Sequence, residues 1–331
     1  MKRRRFGRDA TASAVGLGCM SFGGFYGPAS ENDTMRTLAR ALEIGVDFWD
    51  TANVYGDGVS ETLIGRFLAE DRSRRARITL ATKFAIRRTP EGKREHDNSP
   101  AHMREALEAS LKRLGVERID LYYVHRVDHR IPIEHTVGEL ARLVEVGKIG
   151  AIGLSEIAPD TLRRAHAVHP IAAVQSEYSL WTRNAELGLI QACAEAGALL
   201  VAFSPIARGF FSGLLQDVDS FDAKDFFRHA NPRFRGLNWR RNRDRLPPFL
   251  ALARSWGVAP ATLALAWTLA KAPNIVPIPG TRTAEHLEEC AAAADFELDA
   301  ARLAEIERAL PVGFAAGERY SESQWVGIEK Y

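Results

Sequence analysis

"GLGCMSFGG" occupies residues 16–24, directly after the start of the first apolar run, where an open, doubly wound sheet would carry its dinucleotide-binding loop. That loop needs G-x-G-x-x-G, whose glycines make the tight turn and let backbone approach a pyrophosphate. The glycines here stand at 16, 18, 23 and 24, so the spacing fails. The rest of the chain supplies the alternative. Eight short apolar runs recur: AVGLGCM (14–20), VDFWDT (46–51), ITLATKF (78–84), DLYYVHR (120–126), AIGLSE (151–156), AAVQSEYS (172–179), LLVAFSP (199–205) and IVPIPG (275–280). Their β-branched and aromatic content marks them as strands.

Amphipathic helical patterns separate these runs. NDTMRTLARALEIG (32–45) has Asn32 or Asp33 as N-cap and Gly45 as its stop. SPAHMREALEASLKRLG (99–115) opens with Ser99 as N-cap and Pro100 at the first helical position. Further patterns cover 133–150, 158–169, 184–197 and 260–270. Apolar two-sided strands alternating with helices predict a parallel sheet covered by helices. Eight repeats predict an α/β fold of the closed (β/α)8 TIM-barrel kind, with long loops at its carboxyl face. Residues 1–331 read as a single domain. Two stretches break the rhythm: 217–247, a long loop after the seventh strand, and 313–331, a tail with little helical pattern.

The composition is that of an ordinary soluble globular protein: 46% hydrophobic, 26% charged, net charge +2 over 331 residues. A near-neutral balance gives no reason to expect a nucleic-acid or membrane partner. Cys19, Cys193 and Cys290 lack metal-type spacing and read as thiols in a reducing compartment. No signal-peptide core follows MKRRRFGRDA, so a cytoplasmic location is expected, as a monomer or weak homo-oligomer.

In a parallel barrel the carboxyl ends of all strands meet at one face. Those ends here carry Asp50, Lys83, His125, Ser155, Gln175, Ser204 and Gly280, with Tyr55 just beyond the second strand in FWDTANVYGDG (48–58). Singly, each has an ordinary structural explanation; together, four at neighbouring strand ends form a chemical set. A phenol is a poor acid at neutral pH, and a nearby ammonium depresses its pKa. Asp50 can hold Lys83 charged and in place, and His125 can donate a hydrogen bond that orients a carbonyl beside the Tyr55 hydroxyl. The set suits proton delivery to a carbonyl oxygen and contains no hydride source, so a cofactor is required.

Asp50, Tyr55, Lys83 and His125, followed in order by LSE, VQSEYS, FSPIARGFFSG and PIPGTRTAEHLEEC, resemble the aldo-keto reductases from Gly16 to about Glu289. The stretch GLSEIAPDTLRRAHAVHPIAAVQSEYSLW is most similar to the bacterial and plant branch of general aldehyde and ketone reductases. The resemblance implies NADPH extended across the carboxyl face, with Tyr55 as proton donor, Lys83 and Asp50 tuning it, and His125 orienting the carbonyl. It further implies cofactor contacts from Gly18, Cys19, Met20 and Asp50. Ser155 and Gln175 would hold the carboxamide, with Glu156 standing where many relatives have asparagine. Phe203 would offer a π face in place of the usual tyrosine. Ser204, Pro205, Ile206, Arg208 and Gly209 would meet the pyrophosphate, and Gly280, Thr281, Arg282, His286, Glu289 and Cys290 the adenosine end. His286 and Cys290 depart from the arginine and asparagine common there, which leaves dual use of NADH open.

Around Tyr55 and His125, substrate contacts are expected from Phe22, Tyr26 and Trp239, with Phe25, Trp181, Phe226, Phe227 and Trp325 also near the opening. These aromatics point to a ring-containing or apolar carbonyl compound. Two alternatives stay open: a sugar or secondary-alcohol dehydrogenase working mainly in oxidation, and a cofactor-binding, redox-sensing regulatory subunit. HRVDH (125–129) places two histidines four apart, but on a strand leaving for a loop, so no metal site is expected. The Arg-rich run 228–245 reads as a solvated lid.

Overall fold

The computed structural model describes residues 1–7, 10–89, 91–214 and 217–331; the side chains of Ser220, Phe226 and Ser323 fall outside the described set. The chain opens with a hairpin of β1 (Arg3–Phe6) and β2 (Ala10–Ser13). The barrel strands β3 (Leu17–Gly18), β4 (Phe48–Asp50) and β5 (Thr79–Phe84) follow. A second antiparallel hairpin, β6 (Ile86–Arg88) with β7 (Arg94–His96), interrupts them. The barrel then continues through β8 (Ile119–Val124), β9 (Ile149–Ser155), β10 (Ile171–Glu177), β11 (Leu199–Phe203) and β12 (Ile275–Ile278).

All eight barrel strands pair in parallel, each with its sequence neighbour in the barrel. The ends join through a bridge between Gly18 and Gly280, with Gly16 N donating to Pro277 O at 2.9 Å and Gly18 N to Pro279 O at 3.0 Å. The (β/α)8 expectation therefore holds. Phe48, Ala81, Leu121, Tyr123, Leu199, Val201 and Val276 fill the interior, with Phe6 and Ala12 of the first hairpin in the same cluster. The Phe6 and Phe48 rings meet edge to face at 6.4 Å, so the hairpin plugs the amino-terminal end. The carboxyl end opens into a cavity.

The helices are α1 (Glu31–Glu43), α2 (Val59–Glu70), α3 (Pro100–Leu114), α4 (Ile133–Glu145), α5 (Pro159–Val168), α6 (Leu189–Glu195), α7 (Phe226–Ala230), α8 (Gly236–Arg245), α9 (Pro247–Ser255), α10 (Pro260–Ala270), α11 (Ala284–Ala291) and α12 (Ala300–Ala309). The α3 helix matches its expected caps: Ser99 accepts from His102 N, and Gly115 ends it in a left-handed conformation. The cap of α1 is instead Ser30, whose hydroxyl accepts from Asp33 N at 3.3 Å, which puts Asn32 and Asp33 inside the first turn. Helix α4 stops at Glu145 rather than 150, because Gly147 turns left-handed and Ile149 already begins β9. The 184–197 pattern splits at Gly188 into a 3-10 turn and α6. Within the predicted loop 217–247 lie α7 and α8. The tail carries one 3-10 turn, Glu322–Gln324.

Candidate active site

The carboxyl end of the barrel opens into a cavity of about 1200 Å³ lined by Asp50, Tyr55 and His125, with Lys83 buried behind them. Asp50 ends β4 and Lys83 lies in β5, one strand over. The Lys83 ammonium is fully buried and donates to Asp50, to Thr51 O at 2.8 Å and to the Tyr55 hydroxyl at 3.3 Å. Gln175, on β10, donates to the other Asp50 oxygen at 2.8 Å. Burial pulls the Lys83 pKa down, but Asp50 and Tyr55 outweigh it and raise it overall, so the ammonium form is retained.

Tyr55 is held by backbone packing. A Cβ on Gly23 would lie 2.6 Å from Gly56 N and 2.7 Å from Tyr55 C, so only glycine lets the loop carrying Tyr55 seat there. Burial raises the Tyr55 pKa; Lys83 opposes this and Asp50 reinforces it. The expected ammonium effect is present, but desolvation exceeds it, contrary to a net depression. Tyr55 is thereby kept as a protonated phenol, the form a proton donor needs. His125 follows β8 with its ring edge-on to Tyr55, centroids 5.9 Å apart. Its Nδ1 is buried without a hydrogen-bond partner. Burial, then Arg126 and Lys83, hold its pKa well below the ordinary histidine range, so the imidazole is neutral.

From the tetrad the cavity runs past Gly18, Cys19, Met20, Ser155, Gln175 and Phe203 to Ser204, Pro205, Ile206, Arg208 and Gly209, and on to Gly280, Thr281, Arg282, His286, Glu289 and Cys290. Ser204, Ala207 and Arg208 have positive φ without being glycine, a costly backbone turn of the kind stored at ligand sites. Arg208 is buried, donates to Glu177 at 3.5 Å, and leaves Nη1 without a partner. Arg282 donates to the carbonyls of Tyr26 and Pro28 at 3.2 and 3.3 Å, fastening the 24–28 loop beside the start of α11.

Three expected contacts lie elsewhere. Glu156 does not line the cavity. Glu156 has a positive φ of 57°, and its carboxylate accepts from Ser176 Oγ and Glu177 N, both at 2.9 Å. It also forms an ion pair with Arg319 of the tail at 2.6 Å. Phe22 is buried in the core, and Trp239 packs into an aromatic cluster with Phe210 and Phe234. Trp181 belongs to that cluster too, while Trp325 packs on Tyr320 outside the cavity. The Phe226 side chain is outside the described residues. Tyr26, Phe25 and Phe227 do line the opening, with ring centroids of Phe25 and Phe227 5.2 Å apart.

Sequence reasoning missed a cationic rim. Arg87, Arg88, Lys93 and Arg94 of the second hairpin reach the cavity with Arg126, as do Tyr320 and Gln324 of the tail. The turn signal TPEG (89–92) between two short basic runs was the trace of that hairpin in the sequence.

The match to known proteins agrees with this geometry. The aldo/keto reductase family model matches residues 14–311. A probable aldo-keto reductase 1 of Glycine max is 44% identical over 313 residues, covering 93% of this chain and 88% of its own length. The NADP(+) aldo-keto reductase yakc of Schizosaccharomyces pombe is 41% identical over 321 residues, covering 96% and 94%. Among solved structures, a glycerol dehydrogenase from Gluconobacter oxydans superposes with a TM-score of 0.85 at 28% identity, over 97% of this chain and 98% of its own. A holo aldo-keto reductase from Bacillus halodurans gives 0.71 at 27% identity, over 97% and 99%. A barrel whose carboxyl end joins a buried lysine, an aspartate and a tyrosine hydroxyl, carried on a chain this similar to those reductases throughout, belongs to the aldo-keto reductase family and is an oxidoreductase acting on carbonyl and alcohol groups.

Proposed function

We propose that this protein reduces a ring-containing or apolar aldehyde or ketone to the alcohol with NADPH, within a single barrel domain. The observation that carries the reading is the Lys83 ammonium shared between Asp50 and the Tyr55 hydroxyl at the floor of the cavity.

The residues present fit a dinucleotide. The left-handed turn from Ser204 to Gly209 is positioned to offer backbone N–H groups, and Arg208 has an unpaired buried donor. Arg282 and the Thr283-capped start of α11 suit the adenosine phosphate, since a helix start and a guanidinium both favour anions. Ser155 and Gln175 would hold the carboxamide, and Phe203 the nicotinamide face. When bound, the cofactor supplies the hydride. The chain's own residues do the rest. His125, neutral, donates from its imidazole to the carbonyl oxygen and orients it. Tyr55 delivers its proton to that oxygen as negative charge develops, and Lys83 stabilises the phenolate left behind. Asp50 keeps Lys83 charged and in register. Phe25, Tyr26 and Phe227 enclose the substrate body and exclude water.

The yakc name supports NADP(H). Likeness to a glycerol dehydrogenase favours one other reading, oxidation of an alcohol by the same residues in reverse, with Tyr55 as the base. Fluorescence titration with NADPH and NADH, followed by carbonyl and alcohol panels in both directions, tests the choice. Tight NADPH binding with aldehyde turnover is expected. Turnover only of alcohols with NADP(+) would favour the dehydrogenase, and no binding of either nucleotide would overturn both readings.

A further inference from the structure

We propose that the substrate carries, besides its carbonyl, an anionic group (a carboxylate or a phosphate monoester) held by Arg94 and Arg126; this rests on the reductase reading above. Topology places these cations at the substrate end. The expected cofactor segments leave β3 and β9 to β12, whereas the β6–β7 hairpin leaves β5 and Arg126 follows β8, on the wall that carries Tyr55 and His125.

Arg94 and Arg126 lack a counter-charge among the described residues, as does the ammonium of Lys93 in the exposed hairpin turn. Arg87 pairs with Glu95 and Asp97, and Arg88 with Asp57. The Arg94 guanidinium, exposed at the rim and lining the cavity, has no ion pair or side-chain hydrogen bond among the described residues. Arg126 is only 7% exposed, and its Nη1 reaches only neutral acceptors, His125 O at 2.6 Å and Ser155 Oγ at 3.3 Å. Its Nε is buried with no hydrogen-bond partner among the described residues. A buried guanidinium without a carboxylate is costly unless something else supplies the charge.

The cavity's own acids do not. Among the described lining residues the carboxylates are Asp50, Asp57 and Glu289. Asp50 is taken by Lys83 and Gln175, Asp57 faces Arg88, and Glu289 lies on α11 at the far end. The two guanidinium groups also sense each other. Arg94 is exposed at the rim, and Arg126 is among the neighbours that lower its pKa, with Tyr320 and Tyr55 acting in the opposite sense. Both guanidinium groups line the same cavity as Tyr55 and His125, and two such cations suit a planar or tetrahedral anion. With the aromatic rings of Phe25, Tyr26 and Phe227 around the opening, the substrate that fits is a ring with a carbonyl at one position and an anion across it.

The test uses matched substrates at saturating NADPH: 4-carboxybenzaldehyde against methyl 4-formylbenzoate, and 4-formylphenyl phosphate against 4-methoxybenzaldehyde. The wild type is expected to favour the anion by about tenfold or more in kcat/KM in at least one pair, and the pair with the larger ratio identifies carboxylate or phosphate. Added salt should shrink the preference. Arg94 is at the solvent-facing rim, so Arg94→Gln should fold; it is expected to collapse the ratio towards one, with Arg94→Lys restoring part of it. Turnover of the neutral compounds with no anion preference would overturn the proposal and leave the reductase standing. A ratio unchanged in Arg94→Gln, or a weakened NADPH affinity with equal loss on both members of a pair, would overturn it as well, the latter by assigning Arg94 to a cofactor phosphate. Turnover of none of the four would remove the reductase reading and this proposal with it.

Discussion

At the scale of single residues the site depends on one buried ion pair. Lys83 and Asp50 are both almost wholly removed from solvent, so deleting one leaves the other charge uncompensated. Lys83→Met is expected to cost about 3–5 kcal/mol of stability in urea denaturation, besides lowering kcat, and Lys83→Met with Asp50→Asn should recover much of that stability. A single variant as stable as wild type would show that the pair is not the buried unit described. Cofactor choice turns on Arg282: Arg282→Ala should reduce the preference for NADPH over NADH by about tenfold or more, measured as the ratio of Kd values, and an unchanged ratio would assign the phosphate contact elsewhere. Asp50 and Lys83 were legible in the sequence because each is a polar group ending an apolar run, whereas Arg282 entered through the resemblance. Glu156 was misread because the resemblance carries over a position and not the partners of a changed side chain. In place of the cavity its carboxylate meets Arg319, Ser176 and Glu177 N, contacts between distant segments that no local pattern shows. The sign of the Tyr55 shift was equally hidden, since the sequence names the ammonium neighbour but not the depth of burial.

Among the elements, the tail is joined to the barrel at two points that no periodicity reveals. Helix α5 has no cap from its own N-terminal residue; Glu329 accepts from Ala158 N at 2.6 Å and from Thr161 Oγ1 at 3.0 Å instead. Arg319 reaches Glu156 and Glu177, and burial of the Glu177 carboxyl is more than offset by Arg208, Arg319 and Arg233, which hold its pKa below the ordinary range. The same tail brings Tyr320 and Gln324 to the cavity. Glu329→Gln is therefore expected to speed amide hydrogen exchange across 313–331 and the first turn of α5 together. Exchange confined to one of the two would contradict the coupling. Strand and helix alternation was legible wherever apolar runs were long enough to show a period. Both hairpins were missed, since RRRF with ATAS and IRR with REH are too short and too charged to alternate. The helices inside 217–247 were hidden likewise: α8 is arginine-rich and α7 has five residues.

For the whole molecule, a buried imidazole at the barrel end and a half-buried one in the β6–β7 hairpin, both neutral, set an acid limit on stability. His125 has its pKa well below the usual range, and burial followed by Arg94 and Arg126 lowers His96 to about 4. An unfolded histidine takes up a proton near pH 6.5, whereas these folded ones do not, so the unfolded state binds more protons between those values. Their contribution is complete above pH 6.5 and is lost as pH falls towards 4. The urea midpoint should accordingly drop between pH 7 and pH 5, above the range where the lowered carboxylates titrate; a flat midpoint would mean that these imidazoles protonate in the folded barrel. The closed barrel itself was readable from eight repeats and from the failed glycine spacing at 16–24, because both follow from local pattern. The cationic wall and the tail were not, because they are set by contacts between distant segments. The central claim, that Tyr55 delivers the proton that accompanies hydride transfer, is tested most directly by single-turnover oxidation of bound NADPH with an aldehyde in wild type and Tyr55→Phe. The variant should bind NADPH as wild type does and slow the chemical step by about 10²–10⁴. A Tyr55→Phe protein that oxidises NADPH at the wild-type rate would contradict it.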